Sequence, residues 1–439
     1  MILYSKFTPN ENNNFYFKKY LFISIITYFL TIFFLSYLLS IDVNQFWFFL
    51  GVPAKEKIFS DIYPFFVTSD CKLISNTLTD YYDQFRSCDP WNRIFNYMPI
   101  WLNFLKMGIN LKYLYFFGIL FVLLFYFSLF KLINIKTKKN FYIYLFLILS
   151  PVTMLAVERG NSDLLIFSLV LFFLYLCRFD NIYKVFFGYL ILFTAALIKF
   201  YPIFAVFVFF KKNFYNKIFS LITFILFIFY FIFNFDQINL IKQNTLESPF
   251  FSYGYNVFEA NLFNFYNKIE AYRDFFLNFD ISLISLRETI DPFIFPLELK
   301  NNNFIISKIF FISSILLLVI IFFKKKRNII NYKLINYNNS YPEMIAGAFI
   351  FSGSFILGAN WDYRLIFLLL VIPYLTSISS TEKKYSRFII LVILFVFWLS
   401  PISIFLFGID EVFLWLIFVF LSFLVINHTF FCFFPKLVK

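Results

Sequence analysis

Long apolar segments recur along the whole chain, and short polar or basic stretches separate them. The first segment, residues 17–40, exceeds the roughly 20 residues that a helix needs to cross a bilayer. Over 439 residues, 61% are hydrophobic and only 14% are charged, which is outside the usual range of soluble globular proteins. The sequence therefore predicts an all-α, polytopic membrane protein with a single membrane-embedded domain over residues 1–439.

Basic residues indicate the orientation of these segments. Lys18 and Lys19 precede the first segment, and the positive-inside rule keeps them in the cytoplasm. Applied to the lysines of 211–217 and to KKKR at 324–327, the same rule predicts twelve membrane helices with both chain ends inside. The net charge is +13, and its cations cluster at the ends of the apolar segments, where they meet lipid head groups. We therefore expect membrane lipids and no nucleic acid as partners.

One apolar stretch, 184–210, counts as two short helices because Lys199-Phe200-Tyr201-Pro202 breaks it. Pro202 lacks a backbone donor and disfavours helix at Tyr201. Broken helices at membrane depth line protein or water, so we expect Lys199 to face a cavity. The other predicted spans are 17–40, 111–133, 141–157, 164–177, 217–235, 304–323, 343–359, 365–378, 388–407 and 411–434.

This topology places most polar outliers on the non-cytoplasmic side of the cell membrane. The first external loop is 41–110 and the second external segment is 236–303, and ERGNSD at 158–163 and NWDYR at 360–364 form outer turns near Lys199. Polar residues at membrane depth are costly and usually functional, which predicts an active or binding site on this face. The alternative is that these residues only form turns and mark the interface.

Several of these stretches carry a family resemblance. The segments ERGNSDLLIFSLVLFFLYL, ALIKFYPIFAVFVFFKK and NWDYRLIFLLLVIPYL, with FSDIY and CDPWNRIFNYMPIW in the first loop, resemble glycosyltransferase family 87, the alpha-mannosyltransferase-like group of GT-C enzymes. The resemblance spans roughly residues 17–380. It departs at Tyr97-Met98-Pro99, where family members tend to have a double proline.

The resemblance implies an inverting hexosyltransferase-type enzyme on the non-cytoplasmic face. Its donor would be a polyprenyl-phosphate sugar, carrying a mannose-like hexose or a pentose, and its acceptor a lipid or glycan. No cofactor is implied. The resemblance also implies an essential acidic residue in the first external loop.

A carboxylate is needed because a sugar hydroxyl that attacks an anomeric carbon must lose its proton in the transition state. Among the first-loop carboxylates, Asp89 lies in a turn-forming context before Pro90, and Asp61 and Asp70 remain as candidates. We predict Asp61 as the general base, because it matches the acidic position of the family and lies among aromatic residues. The alternative is that Asp61 caps a juxtamembrane helix.

The leaving lipid phosphate needs fixed cations, and arginine suits phosphate because its fork donates two parallel hydrogen bonds. We predict phosphate contacts from Arg159, Lys199 and Arg364, with Arg93 as a fourth. Each of the first three has another explanation: Arg159 pairs only with Glu158, Lys199 snorkels, or Arg364 pairs only with Asp362. The residues expected to bind the sugar or the acceptor are Asp70, Asn96, Tyr97, Glu158, Asn161, Asp163 and Asp362.

The remaining reactive residue types point to structure. His428 is the single histidine and falls in the last span, so the sequence predicts neither a histidine metal cluster nor a Ser-His-Asp relay. Cys71 and Cys88 lie in the first external loop, and we predict a disulfide that closes about 16 residues and contributes about 3 kcal/mol. Two free thiols are the alternative.

A different class of protein would share some of these features. A transporter or a lipid flippase of cell-envelope precursors also has many spans, a broken helix and a lysine near the midplane. The sequence shows no clear internal repeat, and its polar residues concentrate on one face, which favours the enzyme. A non-catalytic membrane subunit is a third alternative.

Overall fold

Helices dominate the computed structural model of the protein. It describes residues 9–52, 54, 57–70, 89–90, 97–101, 109–135, 137–244, 252–255, 257, 308–309, 312–316, 340–358, 360–377, 383–399 and 409–433. In these ranges the extended structure is one antiparallel pairing of two-residue strands. The expected all-α class with apolar, membrane-type helices is therefore confirmed.

The elements follow one another in chain order. The α-helices are α1 (Pro9–Leu39), α2 (Val43–Phe49), α3 (Tyr63–Asp70), α4 (Leu114–Leu132), α5 (Lys138–Ile148), α6 (Pro151–Glu158), α7 (Ser162–Cys177), α8 (Ile182–Ile198), α9 (Phe214–Phe233), α10 (Phe235–Asn244), α11 (Tyr341–Leu357), α12 (Ile372–Ser377), α13 (Lys383–Leu399) and α14 (Ile409–Phe433). The 3₁₀ helices are Pro99–Trp101, Leu111–Tyr113, Tyr201–Phe207 and Asp362–Leu370, and the strands are β1 (Ser252–Tyr253) and β2 (Asn360–Trp361).

Four helices of the described part of the chain are long and apolar enough to cross a membrane. Their crossing segments are Asn14–Leu39, Leu111–Leu132, Phe214–Phe233 and Ile409–Phe430. Helices α5 and α6 make a fifth if they are taken together as one bent span. Helices α7, α8, α11 and most of α13 are apolar but shorter. The protein is thus a membrane protein with several helices of spanning length.

Two segments that were expected to be continuous helices are broken. The predicted span 141–157 divides into α5 and α6, which meet at an angle of 48°. Ser150 causes the break, because its hydroxyl caps α6 by accepting a hydrogen bond from the Thr153 N–H at 3.3 Å, and Pro151 follows without a donor of its own.

The predicted span 365–378 is also different in the structure. The 3₁₀ helix Asp362–Leu370 and the short helix α12 replace the expected α-helix. The 3₁₀ helix packs closely on α11 at Gly347, where an added Cβ would lie 2.9 Å from the Phe367 carbonyl oxygen. The two backbones approach closely there, and Asp362 at the start of the 3₁₀ helix is buried in the protein.

The predicted break at Lys199 is present. Helix α8 ends at Ile198, Lys199 is extended with φ −145° and ψ 140°, and the 3₁₀ helix Tyr201–Phe207 follows, with Pro202 in its first turn. The change from helix to extended backbone turns the Lys199 side chain away from the axis of α8 and toward the polar residues described below.

The C-terminal end of α7 and the N-terminal end of α8 are joined by a polar turn. Lys212 Nζ donates hydrogen bonds to the carbonyl oxygens of Cys177, at 3.2 Å, and Arg178, and it pairs with Asp180 at 3.1 Å. Hydrogen bonds from Asn213 and Lys212 hold the pKa of Asp180 below its usual value. These contacts join the end of α7 to the chain just before α9.

Candidate functional site

The candidate site is built around the turn that joins α6 to α7. Helix α6 ends at Glu158, and Gly160, with φ +56°, turns the chain in the left-handed region that glycine tolerates best. Asn161 then caps α7 by accepting a hydrogen bond from the Asp163 N–H at 2.9 Å. The turn therefore presents Arg159, Asn161 and Asp163 together at the start of a helix.

The first loop is attached to this turn by its backbone. The Phe59 N–H donates to the Glu158 carbonyl oxygen at 3.0 Å, and the Asp61 N–H donates to the Arg159 carbonyl oxygen at 3.2 Å. The Phe59 ring fills the space between Gly118 of α4 and Gly160, where added Cβ atoms would lie 2.2 and 2.6 Å from ring carbons. Asp61 is thus held by backbone hydrogen bonds and by a wedged aromatic ring.

Both carboxylate oxygens of Asp61 face the turn. Asn161 Nδ2 donates a hydrogen bond to Oδ2 at 2.6 Å, and Arg159 Nη1 lies 3.5 Å from Oδ1. The Tyr97 hydroxyl donates a hydrogen bond to the Asp61 carbonyl oxygen at 2.6 Å. Asp61 itself is 7% exposed. The alternative role of Asp61 was to cap a juxtamembrane helix. In the structure its carboxylate instead contacts Asn161 and Arg159 of a distant turn.

A second carboxylate, Asp163, joins two cations that are far apart in the sequence. Lys199 Nζ donates hydrogen bonds to Asp163 Oδ1 and, at 3.1 Å, to Asn161 Oδ1. Arg364 Nε lies 3.5 Å from the other Asp163 oxygen. Lys199 is therefore turned inward to an ion pair rather than snorkelling. Asp163 is fully buried, so its carboxylate is shielded from water.

The neighbours of Arg364 hold its guanidinium in place. Its Nη1 donates a hydrogen bond to Asn360 Oδ1, and its Cζ lies 4.6 Å from the centroid of the Tyr201 ring. Asn360 in turn donates to the Gly358 carbonyl oxygen at 2.7 Å and pairs with Tyr253 between β2 and β1. Strand β1 thereby contacts the site through β2.

Aromatic residues that the sequence reasoning missed form a wall beside the charges. The rings of Trp361 and Tyr363 are parallel, with centroids 6.2 Å apart. Arg159 lies 5.8 Å from the Trp361 ring and Lys199 lies 5.6 Å from the Tyr363 ring, as in cation–π contacts. Trp361 and Tyr363 are part of the NWDYR turn, and the alternation of aromatic and charged residues in that turn was the available signal.

Charges in the cluster are balanced. The cations Arg159, Lys199 and Arg364 lie among the carboxylates Asp61, Glu158 and Asp163, with Arg159 Nε 3.9 Å from Glu158 Oε2. The structure therefore brings together three predicted phosphate ligands, the predicted base and several predicted sugar ligands. Such a cluster can accept a proton at one end and bind an anion at the other.

Of the other predicted site residues, some are buried near the cluster and some fall outside the part of the chain that the structure describes. Asp362 is buried and precedes the aromatic Tyr363 in the same turn. Cys71, Cys88, Arg93, Asn96 and the side chain of Asp70 lie outside the described residues. Among the residues that are described, no group of three or more His, Cys, Asp or Glu side chains is placed to hold a metal ion. His428 is buried in α14, where its Nδ1 lies 2.9 Å from the Tyr341 hydroxyl.

Gly118 offers a test of how the first loop is held. The variant Gly118→Val is expected to lower the free energy of unfolding by about 1–3 kcal/mol, because the new side chain overlaps the Phe59 ring and the ring is closed in by Gly160 on its other face. Thermal unfolding in detergent measures this effect. Ile119→Val is the control, since Ile119 follows on α4 and is half-exposed on the outer surface of the helix. Equal shifts in the two variants would contradict the proposed wedge.

Comparisons with known proteins add no relative. A scan against protein-family models finds no match, and neither the curated proteins nor the solved structures contain a significant match to this chain. Functional conclusions therefore rest on the residues and on their geometry.

Proposed function

We propose that the protein is an integral-membrane, inverting glycosyltransferase of the GT-C type, similar to glycosyltransferase family 87. It transfers a mannose-like hexose or a pentose from a polyprenyl-phosphate donor to a lipid or glycan acceptor. The contact of Asp61 with Arg159 and Asn161, beside the Asp163–Lys199 ion pair, is the observation that supports this most strongly.

In this proposal Asp61 is the general base. Its carboxylate accepts the proton of the acceptor hydroxyl as the oxygen attacks the anomeric carbon from the face opposite the leaving phosphate. Asn161 and Arg159 fix the orientation of the carboxylate, and the backbone hydrogen bond to the Arg159 carbonyl oxygen fixes its distance from the turn. This fixed orientation of a buried carboxylate supports its role as the base.

Lys199 and Arg364 stabilise the leaving phosphate. Both cations pair with the single carboxylate of Asp163, which leaves one positive charge over, so negative charge that develops on the phosphate oxygen is met by cations that are already oriented. Arg159 lies between the two ends of the cluster and can contact both the base and the donor. Tyr97, Asn161 and Asp163 contribute hydrogen bonds to sugar or acceptor hydroxyls.

The same proposal includes twelve membrane helices and a site on the non-cytoplasmic face of the cell membrane. The basic cytoplasmic loops and the one-sided grouping of polar turns support it. Among the described residues, Lys112 in the 3₁₀ helix before α4 would be at the outer end of its span, and Asn181 between α7 and α8 would be inside. Both side chains are exposed, which makes them suitable reporters.

Labelling of single cysteines tests this orientation. In intact cells, Lys112→Cys should react with a membrane-impermeant thiol reagent, and Asn181→Cys should react only after the membrane is opened. All four native cysteines are replaced by serine beforehand; Cys177 and Cys432 are buried in any case. Labelling of Asn181→Cys from outside would invert the topology and place the polar cluster on the cytoplasmic face.

A direct assay of the proposed activity uses the purified full chain in nanodiscs. The donors are radiolabelled polyprenyl-phosphate hexoses and pentoses, and the acceptors are lipids and glycans extracted from host membranes that lack the protein. We expect a labelled product with at least one lipid-linked donor and none with the matching nucleotide sugars. Transfer from a nucleotide sugar alone would contradict the proposed donor class.

A transporter or lipid flippase is the second candidate, because the buried Asp163–Lys199 pair lies beside a broken helix of a membrane protein. Proteoliposomes distinguish the two functions. A flippase moves a labelled lipid-linked sugar to the other leaflet without changing it, whereas the proposed enzyme releases the polyprenyl phosphate and forms a new glycoside.

A further inference from the structure

The break that follows α8 leaves one backbone carbonyl without its usual helical donor. In an α-helix the Ile198 carbonyl oxygen would accept a hydrogen bond from the N–H four residues later. That residue is Pro202, which has no N–H. Backbone groups inside a membrane protein need partners within the protein, because the bilayer core offers none. A donor from elsewhere in the chain is therefore needed beside Lys199.

Trp101 of the first loop supplies such a donor. Its indole Nε1 donates a hydrogen bond to the Ile198 carbonyl oxygen at 3.2 Å, across 97 residues of sequence. The residue is 4% exposed, and its own N–H donates to the Met98 carbonyl oxygen at 3.0 Å, next to the 3₁₀ helix Pro99–Trp101. Trp101 thus holds the backbone of the residue that directly precedes Lys199.

The segment that carries Trp101 also holds Asp61. The hydroxyl of Tyr97, in the same segment, donates to the Asp61 carbonyl oxygen at 2.6 Å. Phe65 of α3 packs against both aromatic residues: its ring is parallel to the Trp101 ring with centroids 3.7 Å apart, and it meets the Tyr97 ring edge-on at 4.3 Å. Residues 97–101 therefore contact Asp61 at one end and the residue before Lys199 at the other.

We propose that Trp101 is a positioning residue that sets the place of Lys199 relative to Asp61; the inference rests on the proposed function. In an inverting displacement the base and the leaving phosphate lie on opposite sides of one carbon, so their separation has to match the substrate. Asn161 links the two side chains through hydrogen bonds of 2.6 Å to Asp61 and 3.1 Å to Lys199. Trp101 and Tyr97 add a second link, between the backbones on the two sides of the cluster.

The test replaces Trp101 by phenylalanine, which keeps an aromatic ring against Phe65 and removes the indole N–H. The measured quantity is the affinity of the full chain in nanodiscs for a short-chain polyprenyl phosphate without a sugar, which carries the charge that the leaving group acquires. Trp101→Phe should weaken this binding by about 10-fold or more, because a cation displaced by about 1 Å can cost about 10²-fold. The kcat of sugar transfer should fall by a similar factor, and the KM for the donor should change less.

Trp398→Phe is the matched control, because it removes the same N–H from the same kind of bond. Trp398 Nε1 donates to the Phe146 carbonyl oxygen at 3.0 Å and joins α13 to α5, and neither helix supplies a residue of the charged cluster. This variant should leave both the affinity for polyprenyl phosphate and the kcat unchanged.

A double-mutant cycle distinguishes positioning from a purely structural role. In a Lys199→Met background the cation that Trp101 positions is absent, so Trp101→Phe should weaken polyprenyl phosphate binding no further. A purely structural role would give the same loss in both backgrounds. Where Trp101→Phe fails to fold, incorporation of benzothienylalanine at position 101 keeps the shape of the side chain and replaces the indole N–H by sulfur, and the same results are expected.

The outcomes separate this inference from the proposed function. Wild-type affinity in Trp101→Phe, or equal losses in the two backgrounds, would overturn the role of Trp101 even if the wild type transfers sugar. The predicted non-additive losses in a protein that transfers no sugar would support the role of Trp101 and count against the enzyme. A wild type that binds no polyprenyl phosphate would overturn both.

Discussion

Replacing Asp61 by asparagine is expected to lower sugar transfer by about 10²- to 10⁴-fold, the usual contribution of a general base. Asparagine keeps the shape of aspartate and can still accept the hydrogen bond from Asn161 Nδ2 through its one oxygen. It cannot take up a proton at neutral pH, so the variant separates chemistry from structure. The measurement is the initial rate of transfer from a polyprenyl-phosphate sugar in nanodiscs, with donor binding measured alongside.

Asp180→Asn is the matched control, because the same chemical change is made at a side chain that is 82% exposed and contacts Lys212 outside the cluster. It should leave the transfer rate unchanged. Normal turnover by Asp61→Asn would remove Asp61 from the mechanism. Loss of activity in Asp70→Asn alone would move the base to the other first-loop candidate, and loss in both with donor binding retained would favour a carboxylate pair.

Replacing Asp163 by asparagine is expected to destabilise the protein by about 3–5 kcal/mol, the usual result of breaking a buried ion pair from one side. The variant leaves Lys199 and Arg364, whose side chains are only 13% and 17% exposed, beside a neutral amide. The loss of stability is measured by thermal unfolding in detergent, which is monitored through the loss of the monodisperse peak. The effect should exceed that of Asp180→Asn, whose carboxylate is exposed to solvent.

A double-mutant cycle shows whether the charge itself is responsible. Lys199→Met removes one of the two cations, so Asp163→Asn should cost clearly less in that background than in the wild type. Arg364 remains in both, and part of the penalty should therefore persist. Purely additive effects would contradict the shared ion pair and would assign the loss to packing of the turn.

Several site residues could be predicted because an apolar chain makes polar residues conspicuous. The sequence singles out the polar residues Arg159, Asn161, Asp163, Lys199 and Arg364, and the structure links them through the carboxylates of Asp61 and Asp163. The chemical roles assigned to them remain predictions. Their pairing was not foreseen: Arg364 was expected at a phosphate or at Asp362, and the structure pairs it with Asp163.

Other features could not be predicted for a physical reason. In segments such as 365–370 nearly every residue is apolar, so hydrophobic periodicity cannot distinguish a 3₁₀ helix from an α-helix. The 3₁₀ helix depends instead on Gly347, in a different part of the chain, which allows the backbones to approach. The Phe59 wedge also depends on distant glycines, and no local pattern around Phe59 indicates them.

The most direct test of the central claim is a comparison of lipid-linked sugars in host membranes with and without the protein. Removal of the protein is expected to cause one polyprenyl-phosphate sugar to accumulate, and the wild-type chain should reverse this while Asp61→Asn, expressed at the same level, should not. Unchanged levels of every polyprenyl-phosphate sugar, or full reversal by Asp61→Asn, would contradict the account.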